Sequence, residues 1–273
     1  MTNGFDSAWL EALRAASCQV PRKPRVPLFS GLVAVGSVTP DFFLHDAFRS
    51  HLTAQPPLLW QDALGWHLAG DTTNSLALLA KAMRQAGLAG AWRNEQLSVR
   101  DSMGQLAGSI ERGAVRPLGI STQAVHLVGR ASNGCFWVQQ RALSKANDPG
   151  LWDTLMGGMV SANDTLEAAL ARETWEEAGL RMPDLLDLTY GGSINTYRPS
   201  DEGLGSGYLV EQIMWYHCIV PEHLKPVNQD GEVSQFELYS PHQLKMALES
   251  GQFTLEAGLI LAEMLLQRNF SAV

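Results

Sequence analysis

The segment from Gly157 to Leu180 constrains this chain more than any other stretch. It runs Gly157-Gly158-Met159-Val160-Ser161-Ala162-Asn163-Asp164, then a helical pattern from Thr165 to Ala178, then Gly179-Leu180. At roughly 100° per residue, Glu173, Glu176 and Glu177 fall within about one third of the helix circumference, on the same side as Leu166, Ala169 and Leu170. The side that begins as a buried apolar stripe therefore ends in three carboxylates, whereas a solvated charged face would lie opposite that stripe. Carboxylates gathered in this way repel, and their pKa values rise unless a cation joins them. Hard oxygen ligands suit Mg²⁺ or Mn²⁺, which bind a few carboxylates and keep waters for substrate phosphates. Arg172, adjacent to Glu173, can hold a carboxylate through a bidentate pair. Gly157-Gly158 lets the backbone turn sharply beside the site. Asp164 stands three residues before Glu167, close to a capping box, so it is expected to cap the helix rather than to bind metal.

The rest of the chain mixes strands and helices without strict βαβ alternation, which points to an α+β fold or a mixed-sheet sandwich. A short helix is expected over Asp6 to Ser17, stopped by the three prolines of Pro21 to Pro27. Leu28 to Val38 is β-like, and Thr39-Pro40 looks like a helix start. A helix follows from Thr72 to Ala86, with Asp71 or Thr72 as cap, and then a strand at Gln96 to Arg100. A change of texture sets a domain boundary near Arg116-Pro117, giving an accessory α/β domain over 1–116 and a second domain over 117–273. Beyond it, STQAVHLVGR and GCFWVQQRA form two strands, and SKANDPGLWDTLMGGM is a loop leading to the acidic helix. Strands are expected at Leu188 to Tyr197, Tyr208 to Val220 and Phe236 to Tyr239. Two helices close the chain, one capped by Ser240 with Pro241 in first position, the other capped by Thr254 and running to about Arg268.

Charge and cysteine usage exclude several classes. Twenty basic against twenty-eight acidic residues leave a formal net charge of −8, opposite to the basic surplus of nucleic-acid-binding proteins. An acidic protein with an acidic substrate needs a bridging cation. Cys18, Cys135 and Cys218 form no C-x-x-C pair, so neither a disulfide framework nor structural zinc is expected. No apolar run approaches the ~20 residues of a membrane helix, and the N-terminus is not signal-like, so a cytoplasmic protein without membrane association is expected.

The acidic segment resembles the Nudix box, Gly-x5-Glu-x7-Arg-Glu-U-x-Glu-Glu-x-Gly-U, with U bulky and aliphatic. Counting from Gly158, the residues Arg172, Glu173, Glu176, Glu177, Gly179 and Leu180 match. Asp164 replaces the first glutamate, and Thr174 stands at an aliphatic position. The resemblance implies a Nudix α/β/α sandwich with a mixed sheet, and metal-dependent hydrolysis of a diphosphate linked to another moiety. It implies Glu173, Glu176 and Glu177 as metal ligands with the carbonyl of Gly158, and Arg172 as the family's structural arginine. GIST…VHLVG, RALSKANDPGLWDTLMGGMV, DGEVSQFELYS and the AWRNE segment (Ala91 to Glu95) resemble a branch with an added N-terminal domain, related to the Nudix-like half of fungal thiamine pyrophosphokinases. That branch implies thiamine diphosphate, or its oxidised and antimetabolite forms, as substrate, with a monophosphate as product. His217 stands where that branch leads one to expect an acidic residue. The alternatives are an ADP-ribose or nucleotide-sugar pyrophosphatase and a non-catalytic ligand sensor, the latter disfavoured by the intact glutamates.

Further candidates lie outside the box. Glu232 in DGEV can serve as a metal ligand or general base, or is merely a turn residue after Asp230-Gly231. Arg141 and Lys145 can neutralise diphosphate oxygens, or are solvated charges. Glu211 can be a ligand or substrate contact, or an edge-strand surface acid. Trp60, Trp66, Trp92, Trp137 and Trp152 are available to stack on a heterocycle, though core packing is their commoner use. Cys135 and Cys218 fall in strand patterns and are expected to be buried.

Overall fold

The strand expected over residues 121–130 becomes the centre of the largest sheet in a computed structural model of the protein, which describes residues 4–49 and 57–270. In chain order the elements are α1 (Ser7–Ser17), β1 (Val26–Ser30), β2 (Val33–Val38), α2 (Asp46–Arg49), β3 (Leu59–Gln61), β4 (Trp66–Leu68), α3 (Thr72–Gln85), β5 (Gln96–Arg100) and β6 (Leu106–Glu111). Then come β7 (Ser121–Ala131), β8 (Phe136–Arg141), β9 (Trp152–Asp153), β10 (Met156–Met159), α4 (Leu166–Ala178), β11 (Leu186–Ser200), α5 (Glu202–Gly205), β12 (Gly207–Val220), β13 (Val233–Tyr239), α6 (Pro241–Glu249) and α7 (Leu255–Phe270).

The large sheet has the order β11-β12-β7-β8-β13, mixed because β12 runs parallel to β7 and the other pairs are antiparallel. β7 and β8 share only two register pairs, Gly129 with Trp137 and Arg130 with Phe136. Beyond them the strands part, and β10 takes the free edge of β7 while β9 takes that of β8. The sheet is thus split beside the last turns of the acidic helix, at Glu173 and Glu177. Alternation along β7 serves both faces. Val125 and Leu127 meet Met156, Ala169, Leu170 and Ala178 on the α4 side, while Ala124 and Val128 meet Leu244, Ala257 and Ile260 on the side of α6 and α7. This is the expected mixed sheet between helices.

Before β7, a four-stranded sheet of order β2-β1-β4-β3, the hairpin β5–β6 and α3 enclose an apolar cluster drawn from Leu28 to Ile120. Met159 of β10 packs against that cluster. α1 lies elsewhere, on α7 and β11, with Phe5 and Trp9 set against the cluster under α7.

Four expectations need correction. Thr39-Pro40 opens only a 3-10 turn at Phe42–Leu44, because His45 is extended (ψ 131°) and interrupts the helix before α2. The stretch 144–159 is not loop throughout, since the parting of β7 and β8 leaves edges that β9 and β10 satisfy. Glu211 is not on an edge, since β12 is paired on both sides by β11 and β7. Of the two strand cysteines only Cys218 is buried, and Cys135 is partly exposed. Burial pushes the Cys218 thiol up to about 12.

Of Asp71 and Thr72 it is Asp71 that caps α3, and the expected caps at Ser240 and Thr254 are made. At α6 the Ser240 hydroxyl accepts from the Gln243 N–H, and the Gln243 side chain accepts in return from the Ser240 N–H, closing a capping box. Ser240→Ala removes one half of that exchange and is expected to lower stability by about 1 kcal/mol in urea denaturation. An unchanged midpoint would show that the box contributes nothing.

Candidate functional site

α4 begins at Thr165, whose hydroxyl oxygen accepts from the Ala168 N–H at 3.2 Å. It ends at Gly179, in the left-handed region at φ 62°, where a residue without Cβ carries no strain. The helix lays Ala169, Leu170 and Ala178 on the sheet, and its acids are drawn inward unequally. The side chain of Glu177 is 3% exposed, Glu173 13% and Glu176 42%, so burial grades from the sheet split to the solvent.

Glu177 enters the split itself. Its Oε2 accepts from Gln139 Nε2 on β8 at 2.8 Å and from the Gly157 N–H on β10 at 3.0 Å. Its Oε1 lies 3.9 Å from Lys145 Nζ. Burial pushes the Glu177 carboxyl up to about 7, against the opposing pull of Lys145 and the two hydrogen bonds. Burial also lowers the Lys145 pKa, with Glu177 acting against it. Lys145 touches Glu232 as well, at the exposed mouth of the site. Glu173 is raised by burial and held down by Arg172. Its carboxyl fills the space where a Cβ on Gly158 would be, so any side chain at 158 would displace it.

Arg172 gathers the acids. Its Nη1 donates to Glu173 Oε1 at 2.8 Å and to Glu176 Oε2 at 3.0 Å. Its Nε and Nη2 donate to Asp164 Oδ2 at 3.0 and 2.8 Å, and Nη2 also reaches the Met159 carbonyl at 3.2 Å. Burial works against this charge, yet the surrounding carboxylates hold its pKa above the usual arginine value. The expectation that Asp164 caps the helix is therefore wrong. Thr165, one position later, supplies the cap, which frees the Asp164 carboxylate to key the arginine. Thr174, the other departure from the box, is buried and donates to the Leu170 carbonyl at 2.6 Å, which satisfies its hydroxyl within the helix.

The donor set suits a hard divalent cation. Glu173, Glu176 and Glu177 offer carboxylate oxygens, and a carboxyl as buried as Glu177 gains most from a cation when it ionises. Among the described residues, no three Asp, Glu, His or Cys side chains yet converge on one point. The Arg172 guanidinium bridges Glu173 and Glu176 and is the cation between them.

The acids open on a polar cavity of about 760 Å³. Every charged candidate from the sequence lines it: Arg141, Lys145, Arg172, Glu211 and Glu232 join the three helix glutamates and Gly158. Arg141 is engaged with Asp153 at 3.4 Å and with the Asn147 carbonyl at 3.1 Å. Glu211 is raised by burial and accepts from the Thr122 hydroxyl at 3.3 Å. None of Trp60, Trp66, Trp92, Trp137 and Trp152 lines the cavity, so its walls do not provide the stacking those residues were considered for.

Among the lining or supporting residues that escaped the sequence reading are Gln139, His126, Glu95, Arg112 and Arg116. Gln139 and His126 are single polar residues inside strand patterns, with no spacing signal to separate them from surface positions. The Thr154 hydroxyl donates to the Met156 carbonyl at 2.8 Å, so His126 Nδ1 is the donor in its 2.9 Å bond to Thr154 Oγ1. Burial lowers the His126 pKa, so the ring is neutral with Nε2 as acceptor. Glu95 and Arg112 come from the region before β7 and line the same cavity.

The family model for the NUDIX domain matches residues 121–257, half of the 273-residue chain. The chain belongs to the Nudix family. It is 27% identical over 205 residues to Nudix hydrolase 20, chloroplastic, from Arabidopsis thaliana, covering 73% of this chain and 54% of that protein. It is 26% identical over 223 residues to Nudix hydrolase 24, chloroplastic, from the same plant, covering 77% and 60%. The chain thus spans little more than half the length of these relatives. In structure it is similar to DR0079 from Deinococcus radiodurans, with a TM-score of 0.48 and 23% identity over 63% of this chain and 98% of that one. Among the described residues, no helix of this Nudix protein is long and apolar enough to cross a membrane.

Glu177 also sets a pH dependence for the metal-free Nudix protein. Its folded pKa of about 7 exceeds the ordinary 4.5, so the protonated form is the one that favours folding. That contribution is full below pH 4.5 and is lost as pH rises through about 7. Glu177→Gln keeps an acceptor for Gln139 and Gly157 and cannot ionise. In chelator, thermal melts across this range should show the variant gaining on the parent by about 3 kcal/mol at the upper end. Parallel stability profiles for the two proteins would contradict the burial argument.

Proposed function

We propose that the protein hydrolyses a diphosphate linkage with the help of Mg²⁺ or Mn²⁺, acting on thiamine diphosphate or its oxidised and antimetabolite analogues to give the monophosphate. The observation that carries the hydrolase reading is the buried Glu177 carboxyl, on one helix stripe with Glu173 and Glu176, at the wall of a polar cavity of about 760 Å³. The likeness of the AWRNE, RALSKANDPGLWDTLMGGMV and DGEVSQFELYS segments to the thiamine pyrophosphokinase branch supports the substrate choice. So does a cavity that mixes cations with carboxylates, which suits a ligand bearing both a diphosphate and a positive ring.

In this reading Glu173, Glu176, Glu177 and the Gly158 carbonyl hold the metal ion. When bound, the ion supplies charge stabilisation on phosphate oxygens. Arg172, keyed by Asp164, keeps Glu173 and Glu176 in register. Glu232 takes the proton of the attacking water, and Lys145 tunes both Glu232 and Glu177 through its contacts with them. Arg141 lends positive charge to the diphosphate, and Glu211 meets the organic end of the substrate. Residues 1–116 act as an accessory domain to a Nudix domain over 117–273. The separate apolar clusters support this division, while Leu118 and Ile120 of the first cluster, Met159 packed against it and α1 packed on α7 cross the boundary.

The test is phosphate-product analysis on thiamine diphosphate, its oxidised analogue, ADP-ribose and a nucleotide sugar, with and without Mg²⁺. Turnover should require the ion and favour the thiamine compounds. Tight binding of one compound without any turnover would convert the reading to a ligand sensor. Glu177→Gln should lower turnover by about a hundredfold or more, the scale of a lost transition-state contact. Asp164→Asn removes the charge that keys Arg172 and should fall between the parent and Glu177→Gln. Full activity in Asp164→Asn would show that Arg172 needs no such partner.

A further inference from the structure

The AWRNE segment, Ala91 to Glu95, reaches the cavity wall through Glu95, and its contacts are specific. The Glu95 carbonyl accepts from the Arg112 N–H at 2.8 Å, and Glu95 Oε2 accepts from Arg112 Nη1 at 2.8 Å. The Arg93 N–H donates to Glu111 Oε1 at 2.8 Å, and the Gly90 N–H to the Gly113 carbonyl at 2.7 Å. These bonds hold the turn that follows β6. The same segment is fastened to the loop between β10 and α4, where the Ser161 hydroxyl donates to Glu95 Oε1 at 3.1 Å and the Ala162 N–H to the Gln96 carbonyl at 2.7 Å. One short stretch therefore ties the turn after β6 to the loop that carries the acidic helix.

The turn delivers two arginines to the cavity. Arg112 and Arg116, four positions apart, line it together with Glu173 and Glu176, and both also line an adjoining cavity of about 160 Å³. The other cations of the cavity are largely occupied. All three nitrogens of Arg172 donate to acids or the Met159 carbonyl. Arg141 is committed to Asp153 and Asn147, and Lys145 to Glu232 and Glu177, while Arg198 commits one nitrogen, Nη2, to Glu256 at 2.5 Å. Unlike Arg141 and Arg172, Arg112 and Arg116 each commit one nitrogen, Nη1, to Glu95 at 2.8 Å and to Glu202 at 3.1 Å, and unlike Arg198 they stand together, four positions apart. Among the described residues, no further hydrogen bond is found for the remaining N–H groups of either fork, though the Arg116 charge also acts on Glu211. A planar fork with unspent donors is the group that binds phosphate oxygens in bidentate fashion.

We propose that Arg112 and Arg116 form a phosphate-binding wall of the cavity, contributed by the region before the family domain and held in place by the AWRNE segment. The acidic helix holds the cation side of the diphosphate, and the two arginines hold the oxygens on the opposite side. Glu95 is a positioning residue, joining Arg112 to Ser161. The choice of diphosphate as ligand rests on the hydrolase reading above.

The experiment uses the full chain and inorganic diphosphate with Mg²⁺ as probe. In nitrogen-labelled protein, the Nε–H resonances of Arg112 and Arg116 should shift on titration. Calorimetry should show the doubly substituted Arg112→Gln, Arg116→Gln protein binding diphosphate at least about tenfold more weakly than the parent, as expected for lost charged hydrogen bonds. Arg112→Lys with Arg116→Lys should recover part of the loss, which a purely structural role would not produce. Glu95→Gln should weaken binding less than the arginine changes. Arginine resonances that stay fixed while diphosphate binds elsewhere would overturn the proposal, as would failure of the parent to bind diphosphate. If the glutamine protein does not fold, the resonance titration of the parent decides alone. Turnover of the substrate panel is scored separately. A protein that binds diphosphate through these arginines without hydrolysing anything would sink the hydrolase reading and leave the wall standing.

Discussion

The buried carboxyl of Glu177 is the constraint around which the site is organised. α4 packs by its apolar stripe, and the stripe carries Glu177 into the interior along with Ala169 and Leu170. A carboxylate so placed is costly unless the surroundings answer it. The answer is the split between β7 and β8, which turns a side chain of β8 and a backbone N–H of β10 toward the same oxygen. Lys145 approaches from the following loop and offsets part of the remaining charge. The short register between β7 and β8, which looks like a defect of the sheet, is what makes room for an acid in its core.

Outward from Glu177 the same helix face meets progressively more solvent, and the means of compensation change. Glu173 and Glu176 are answered by a single guanidinium, and that guanidinium is itself held by Asp164 and a backbone carbonyl. Arg172 thus does for two carboxylates what a divalent ion does in a hard-oxygen site. Asp164, one methylene shorter than the glutamate of the box, reaches Arg172 at 2.8 Å.

The cavity is built from more than the family domain. Glu95, Arg112 and Arg116 precede residue 121, where the family match begins, and all three line it. The hairpin β5–β6 carries them to the loop before α4, so the region that looks like an appendage in sequence is part of the wall. The connection also runs the other way, since α1, the first helix of the chain, packs on the last.

What the sequence determined by itself was local. The spacing of Gly158, Arg172, Glu173, Glu176 and Glu177 is a helical pattern, and helical geometry alone aligns those side chains. The caps at Asp71, Ser240 and Thr254 depend on residues within one turn and were legible for the same reason. The cap of α4 was misread by one position because Asp164 and Thr165 are both good caps, and only the approach of Arg172 decides between them. The parting of β7 and β8, the role of Gln139 beneath Glu177, the interior position of Glu211 and the arrival of Arg112 and Arg116 were decided by tertiary structure. Each depends on which strand lies beside which, or on segments far apart in the chain. Strand periodicity of two tells which face a residue takes but not what stands opposite it, so pairing and burial settle what a lone polar residue in a strand can do.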